Sequence, residues 1–128
     1  MAKDIIICIV IISLIVCFNI VTQKHTNNKI RETTENLEEL REAILEEKAN
    51  DDLMGKIQKI NEQWENANKK MSYYIEHDEL EKVKTELAEL SANLEIEEYS
   101  QALPIVDRTI YILEHIKEKV SLNLKNIF

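Results

Sequence analysis

Apolar positions fall into two patterns along this chain. From Ile5 to Val21 it reads IIICIVIISLIVCFNIV, and thirteen of those seventeen residues are Ile, Leu, Val or Phe. Nothing downstream resembles this run. As a helix, at about 1.5 Å per residue, it is roughly 25 Å long, the short end of what crosses a bilayer core. A helix in lipid closes its own backbone hydrogen bonds, so the many β-branched residues are no handicap there. The run predicts one membrane span, with Ile5, Ile9, Ile12, Val16 and Val21 marking it from end to end.

Beyond the run, apolar residues recur at helical spacing. Thr22 to Asn28 (TQKHTNN) is a polar juncture, but no Pro or Gly breaks it, so the span can run straight into the next helix. The first soluble helix is expected over 29–48, where Ile30, Leu37 and Ile44 recur every seven residues with Leu40 between them. Ala49-Asn50-Asp51-Asp52 then offers capping oxygens for a second helix over 52–76. There Leu53, Ile57, Ile60, Trp64, Ala67, Met71 and Tyr74 step alternately by four and three. Asp78 and Glu81 have the spacing of a capping box for a third helix. Its seam is Leu80, Val83, Leu87, Leu90 and Leu94.

After a connection at 95–98, a fourth helix is expected over 99–117. Its apolar set, including Ala102, Leu103, Ile105, Val106, Ile110, Ile112, Leu113 and Ile116, covers so wide an arc that it should be the most buried helix. Pro104 near its start predicts a kink. The β-branched stretch from Ile105 to Ile112 suits a strand in composition, but nothing else in the chain can pair with it. Residues 118–128 (EKVSLNLKNIF) alternate Val120, Leu122 and Leu124 and end in Ile127-Phe128, which reads as an extended apolar tail that packs on something. The expected architecture is all-α: an N-terminal anchor (1–24), an antiparallel up-and-down bundle of about four helices (25–117) and the tail (118–128).

A cleaved signal fits the first run poorly. Lys3 is offset by Asp4, and no small-x-small site lies downstream of Phe18. Leu14-Ile15-Val16-Cys17 resembles a lipoprotein box, but Val16 is too large for the position before the cysteine. Orientation stays open. Lys24, Lys29 and Arg31 outnumber Lys3, which would put the C-terminal flank inside.

Composition narrows the function classes. The chain has 16 Lys and Arg against 24 Asp and Glu. All of that excess lies after residue 24, where 14 bases face 23 acids, and so acidic a domain repels nucleic-acid phosphates. Acids and bases are interleaved, as on a solvated helical surface. Both cysteines, Cys8 and Cys17, fall inside the apolar run, so the soluble part has neither a disulfide framework nor a thiolate metal site. One Gly and one Pro in 128 residues argue against a β-rich fold.

No catalytic constellation stands out. His25, His77 and His115 lie too far apart for a helical metal pair. His77-Asp78-Glu79 could hold a cation, but its carboxylates read more simply as helix-start residues. Glu38-Glu39, Glu46-Glu47 and Glu97-Glu98 are adjacent on helices and so do not face each other. With no nucleophile elbow, phosphate loop or dinucleotide fingerprint, the expectation is a non-enzyme without a cofactor or metal. Trp64, Met71, Tyr73 and Tyr74 read first as core and second as a pocket lining. Ser13 and Cys17 form one small-xxx-small pair in the span.

Several segments together resemble the family of the domain of unknown function numbered 4363. They are the Ile-rich N-terminal run, Asn61-Glu62-Gln63-Trp64, the turn IEHDEL (75–80), LEHI (113–116) and VSLNLKNIF (120–128). Pro104, and Lys117 where Pro often comes after His-Ile, depart from the pattern. The resemblance implies a single-span membrane protein of spore-forming Gram-positive bacteria, often encoded beside a larger membrane protein. Its typical layout puts the soluble part outside the cytoplasm. It implies no activity and no catalytic residues.

The leading expectation is therefore a membrane-anchored accessory or interaction protein whose partner is another membrane protein. Leu122, Leu124, Ile127 and Phe128 are the candidate contacts. The rival is a sensory bundle that binds a small ligand. A cavity near Trp64 and Tyr74 favours the rival, and a filled core with an exposed apolar patch favours the first.

Overall fold

A computed structural model describes the backbone of residues 1–127 and the side chains of residues 1–121. Four helices form: α1 (Ala2–Leu45), α2 (Asn50–Met71), α3 (His77–Glu95) and α4 (Tyr99–Ile127). The expected span and the first bundle helix are one element of 44 residues, roughly 66 Å long. The polar juncture at 22–28 is simply helix.

Each helix packs on two neighbours, α1 on α2 and α4, and α3 on α2 and α4. This is the up-and-down antiparallel arrangement that short connections favour. The apolar start of α1 projects from one end as a stem. That near end also holds the α2–α3 turn and the returning part of α4. The far end holds the two other connections, tied where Tyr99 Oη donates to Asn50 Oδ1 at 2.9 Å.

The core is the predicted set of seams. Leu53, Ile57, Ile60, Trp64, Ala67 and Met71 of α2 are all buried, as are Leu80, Val83, Leu87, Leu90 and Leu94 of α3. On α4 the broad arc is buried along its middle (Ala102, Ile105, Val106, Leu113, Ile116). It is half-buried along its edges (Leu103, Ile110, Ile112). Pro104 and Ser100, whose carbonyl loses its partner to the proline, both face solvent, so α4 continues through the proline at little cost.

On α1 the inward positions reach further than the apolar residues suggest. Val16, Asn19, Gln23, Thr26, Ile30, Thr33, Leu37, Leu40 and Ile44 are buried or half-buried, in alternating steps of three and four. Every other residue from 2 to 21 is exposed. Thr26, Thr33 and Thr109 are buried hydroxyls that donate back to the carbonyls of Thr22, Lys29 and Ile105 at 2.7–2.8 Å. Such back-bonding lets a polar side chain occupy a packed seam.

Two local expectations are corrected, and two helix ends are unusual. The residues before α2 and α3 are Ala49 and Glu76, and neither helix has a side-chain cap. Asp51, Asp52, Asp78 and Glu79 lie instead within the first turns, where negative charge suits the helix dipole. Residues 118–127 are not an extended tail. α4 runs to Ile127, because no Pro or Gly stops it and Leu113, Ile116, Val120, Leu124 and Ile127 step by 3, 4, 4 and 3. Last, α1 and α3 end without glycine. Glu47 (φ 58°) and Glu97 (φ 59°) take the left-handed conformation. Lys48 and Glu98 then donate back to Ala43 and Asn93 at 3.1 and 2.8 Å. These are Schellman closures built on glutamate, where a Cβ is unfavourable.

Glu47→Gly and Glu97→Gly should each therefore stabilise the chain by about 0.5–1 kcal/mol in urea melts of the detergent-solubilised protein. A loss of stability in either variant would contradict these closures. Trp64→Ala, which empties a site only 2% exposed, should cost about 3–5 kcal/mol.

Candidate functional site

The near end gathers chemistry that the far end lacks. Where α1 leaves the bundle, His25 and Thr26 face Tyr74 in the α2–α3 turn. The proton positions are set by the bonds. The Thr26 hydroxyl donates to the Thr22 carbonyl at 2.8 Å, so it accepts from Tyr74 Oη at 2.7 Å. The Tyr74 oxygen then accepts from His25 Nδ1–H at 3.1 Å. His25 is thereby held with its proton on Nδ1, and its Nε2 is buried without a partner. Burial first, then the positive charges of Lys29 and Lys70, push the His25 pKa below its usual value. Burial raises that of Tyr74, partly opposed by its bond to Thr26.

On the other side of the turn, Glu79 is 8% exposed. Lys119 reaches its Oε1 at 3.4 Å and Lys82 lies 3.7 Å from the same oxygen, while Oε2 has no partner. Lys119 also meets Glu76 at 3.4 Å, clamping α4 to the α2–α3 turn. A space of about 50 Å³ separates these groups from Tyr74, Ile116 and Val120, enough for one or two waters.

Midway along the bundle, a groove of about 290 Å³ opens between α2 and α3. Trp64, Leu87 and Ala88 form its apolar part, and Asn61, Glu65, Asn68, Lys69 and Lys84 its polar part. Trp64 is thus core, as its spacing predicts, and also the wall of a groove. Its indole N–H is buried without an acceptor. At the far end a wider cleft of about 740 Å³ lies between α1 and α2. Carboxylates and lysines line most of it, with Ala43 and Gly55 between them.

Charge is unevenly spread. Residues 25–34, 66–84 and 111–121, around the near end, carry eight Lys and Arg against seven Asp and Glu. Residues 35–65 and 85–110 carry five against sixteen. The acidity noted for the whole domain therefore belongs to its far part.

Of the residues singled out in the stem, Ile5, Ile9, Ile12 and Val21 are 57–65% exposed and Val16 is half-buried. This helix is long and apolar enough to cross a membrane, and none of its apolar window is buried in the protein. Leu122, Leu124 and Ile127 fall on α4, but their side chains lie outside the described residues, as does Phe128 altogether. The register of α4 on α1 is set by Arg41 Nε and Asp107 Oδ1 at 2.9 Å. About twenty residues further along α4 and about twenty back along α1 bring the backbone at 127 level with about residue 21. The His25–Tyr74 and Glu79–Lys119 contacts escape a sequence reading because they join residues 49 and 40 positions apart.

The architecture is that of a small four-helix bundle carried on an apolar stem. Residues 20–127 match the family described as a domain of unknown function (DUF4363), and the chain belongs to that family. The match starts at the stem's end, so most of the Ile-rich run lies outside it. No curated protein and no solved structure matches the chain.

The near-end network makes stability depend on pH. The unfolded chain protonates His25 near 6.5, whereas the folded chain keeps it neutral to lower pH, so below about 6.5 the unfolded state binds the extra proton. Wild type should accordingly lose stability relative to His25→Asn as pH falls from about 7.5 to 5. A stability difference that stays flat across this range would refute the assignment.

Proposed function

We propose that this chain is a membrane-anchored, non-catalytic interaction protein. In this reading the stem crosses the bilayer, and the bundle stands on the lipid surface to engage another membrane protein. The observation that carries the reading is the unbroken helix α1. Its surface is exposed and apolar over most of 2–21, and the same helix then enters the core. An exposed apolar surface of this extent is costly in water and is covered in lipid.

Two further observations support the arrangement. The near end is close to charge-balanced and carries most of the lysines, which suits contact with anionic headgroups. α4 also returns to the stem's base, so its backbone at Leu122, Leu124 and Ile127 comes to where a partner within the membrane could meet it. Half-buried Val16 and Asn19 lie on the same seam as the bundle core, so this inward face extends to membrane level.

Carbonate extraction of native membranes tests the anchor. The full chain should stay with the membrane fraction, and a chain starting at residue 25 should be released. Release of the full chain would overturn the reading. Photo-crosslinkers at positions 124 and 127 should capture one membrane protein reproducibly, and a crosslinker at exposed Tyr111 should not. Equal capture from all three positions would remove the contact surface from the proposal.

A further inference from the structure

We infer that the groove between α2 and α3 is a binding site for a small organic anion with a flat apolar body. The inference stands apart from the membrane reading and rests on the groove alone. Its volume, about 290 Å³, sits at the lower edge of ligand-sized clefts. That limits an occupant to roughly one ring and a short chain. The apolar part is contributed by both helices, with Trp64 from α2 and Leu87 and Ala88 from α3. Trp64 is 2% exposed, and yet its indole N–H has no acceptor. Buried donors are nearly always satisfied, so an unpaired one on a residue that lines a groove is a departure from ordinary core packing.

The sign of the ligand is set by the rim. Lys69 and Lys84 line the groove and neither forms an ion pair among the described residues. Glu65 is one carboxylate on a rim that holds two ammonium groups, and Asn68 adds a half-buried carboxamide. Two cations, one anion and an aromatic wall select for a negative group joined to apolar carbon. An inorganic anion would leave the apolar wall uncovered, and a neutral apolar molecule would leave the ammonium groups unused.

The chain contains a single tryptophan, so its emission reports on this groove. The probe is 4-phenylbutyrate, titrated into the full chain in zwitterionic nanodiscs, with 4-phenylbutan-1-ol as the uncharged control. A saturable change in Trp64 emission is expected with the carboxylate, and binding of the alcohol should be at least fivefold weaker. The double variant Lys69→Gln/Lys84→Gln should weaken the carboxylate at least tenfold, while Glu65→Gln should tighten it. Ala88→Phe, at an exposed position that fills the groove, should abolish the response with the helical melt unchanged. The inference is overturned by an absence of saturable response in the wild type. Equal affinity for the alcohol, or an undiminished response in either the double variant or Ala88→Phe, overturns it as well. Partition of the probe into lipid would show identically in all variants and so counts against it.

Discussion

One helix carries two kinds of surface, and the rest of the molecule is arranged around that constraint. α1 presents an apolar surface on almost every side over its first twenty or so residues and a single buried stripe thereafter. The stripe starts at Val16, before the apolar surface ends, so the two regimes overlap by about one and a half turns. A helix can make that change without a break because its backbone hydrogen bonds are internal and indifferent to what surrounds them. Its side chains are not indifferent. Through the overlap and about a turn and a half beyond it the inward positions after Val16 are Asn19, Gln23 and Thr26, and polar groups there call for partners. Tyr74 meets Thr26 and His25, and Lys119 and Glu79 close the opposite side. The near-end network is the consequence of carrying one seam across this boundary.

Elsewhere the bundle is held by packing. Arg41–Asp107 and Arg108–Glu86 have good geometry at 2.9 and 2.8 Å, but they lie at the surface, where such pairs contribute about 0–1 kcal/mol. Their larger effect is on register. Both fix α4, against α1 in one case and α3 in the other, and so determine how far α4 extends past the bundle. Apolar seams of Leu, Ile, Trp and Met resist axial sliding best when polar contacts mark the correct level. Tyr99 on Asn50 at the far end and Lys119 on Glu76 and Glu79 at the near end mark the two limits.

Much of this architecture is legible in the order of residues, and the exceptions have physical causes. The seams of α2 and α3 can be read because each inward position is apolar. The lower part of the α1 seam cannot, because Asn19, Gln23, Thr26 and Thr33 occupy inward positions that periodicity scores as outward. The two helix ends at Glu47 and Glu97 carry no glycine to announce them. The end of α4 is hidden by its own regularity, since Val120, Leu122 and Leu124 alternate as a strand does while every second member also fits the helical series. Spacing alone puts Trp64 in the core, but spacing has no means of indicating that α2 and α3 part beside it. Glu79 looks like one more surface carboxylate, because its partner Lys119 is set by the return of α4 and by nothing local.

The continuity of α1 also makes the molecule a lever. From the level of Val21 to Leu45 the helix extends roughly 36 Å without a hinge; α2 and α4 are fastened along that length, and α3 is held by those two. A change of about 10° in the angle of the stem would sweep the far end sideways by about 6 Å while leaving the internal packing untouched. The acidic far end is the tip of that arm. Rotation of the stem about its own axis would likewise turn every face of the bundle together, so small movements at the base become large displacements of charge some distance away.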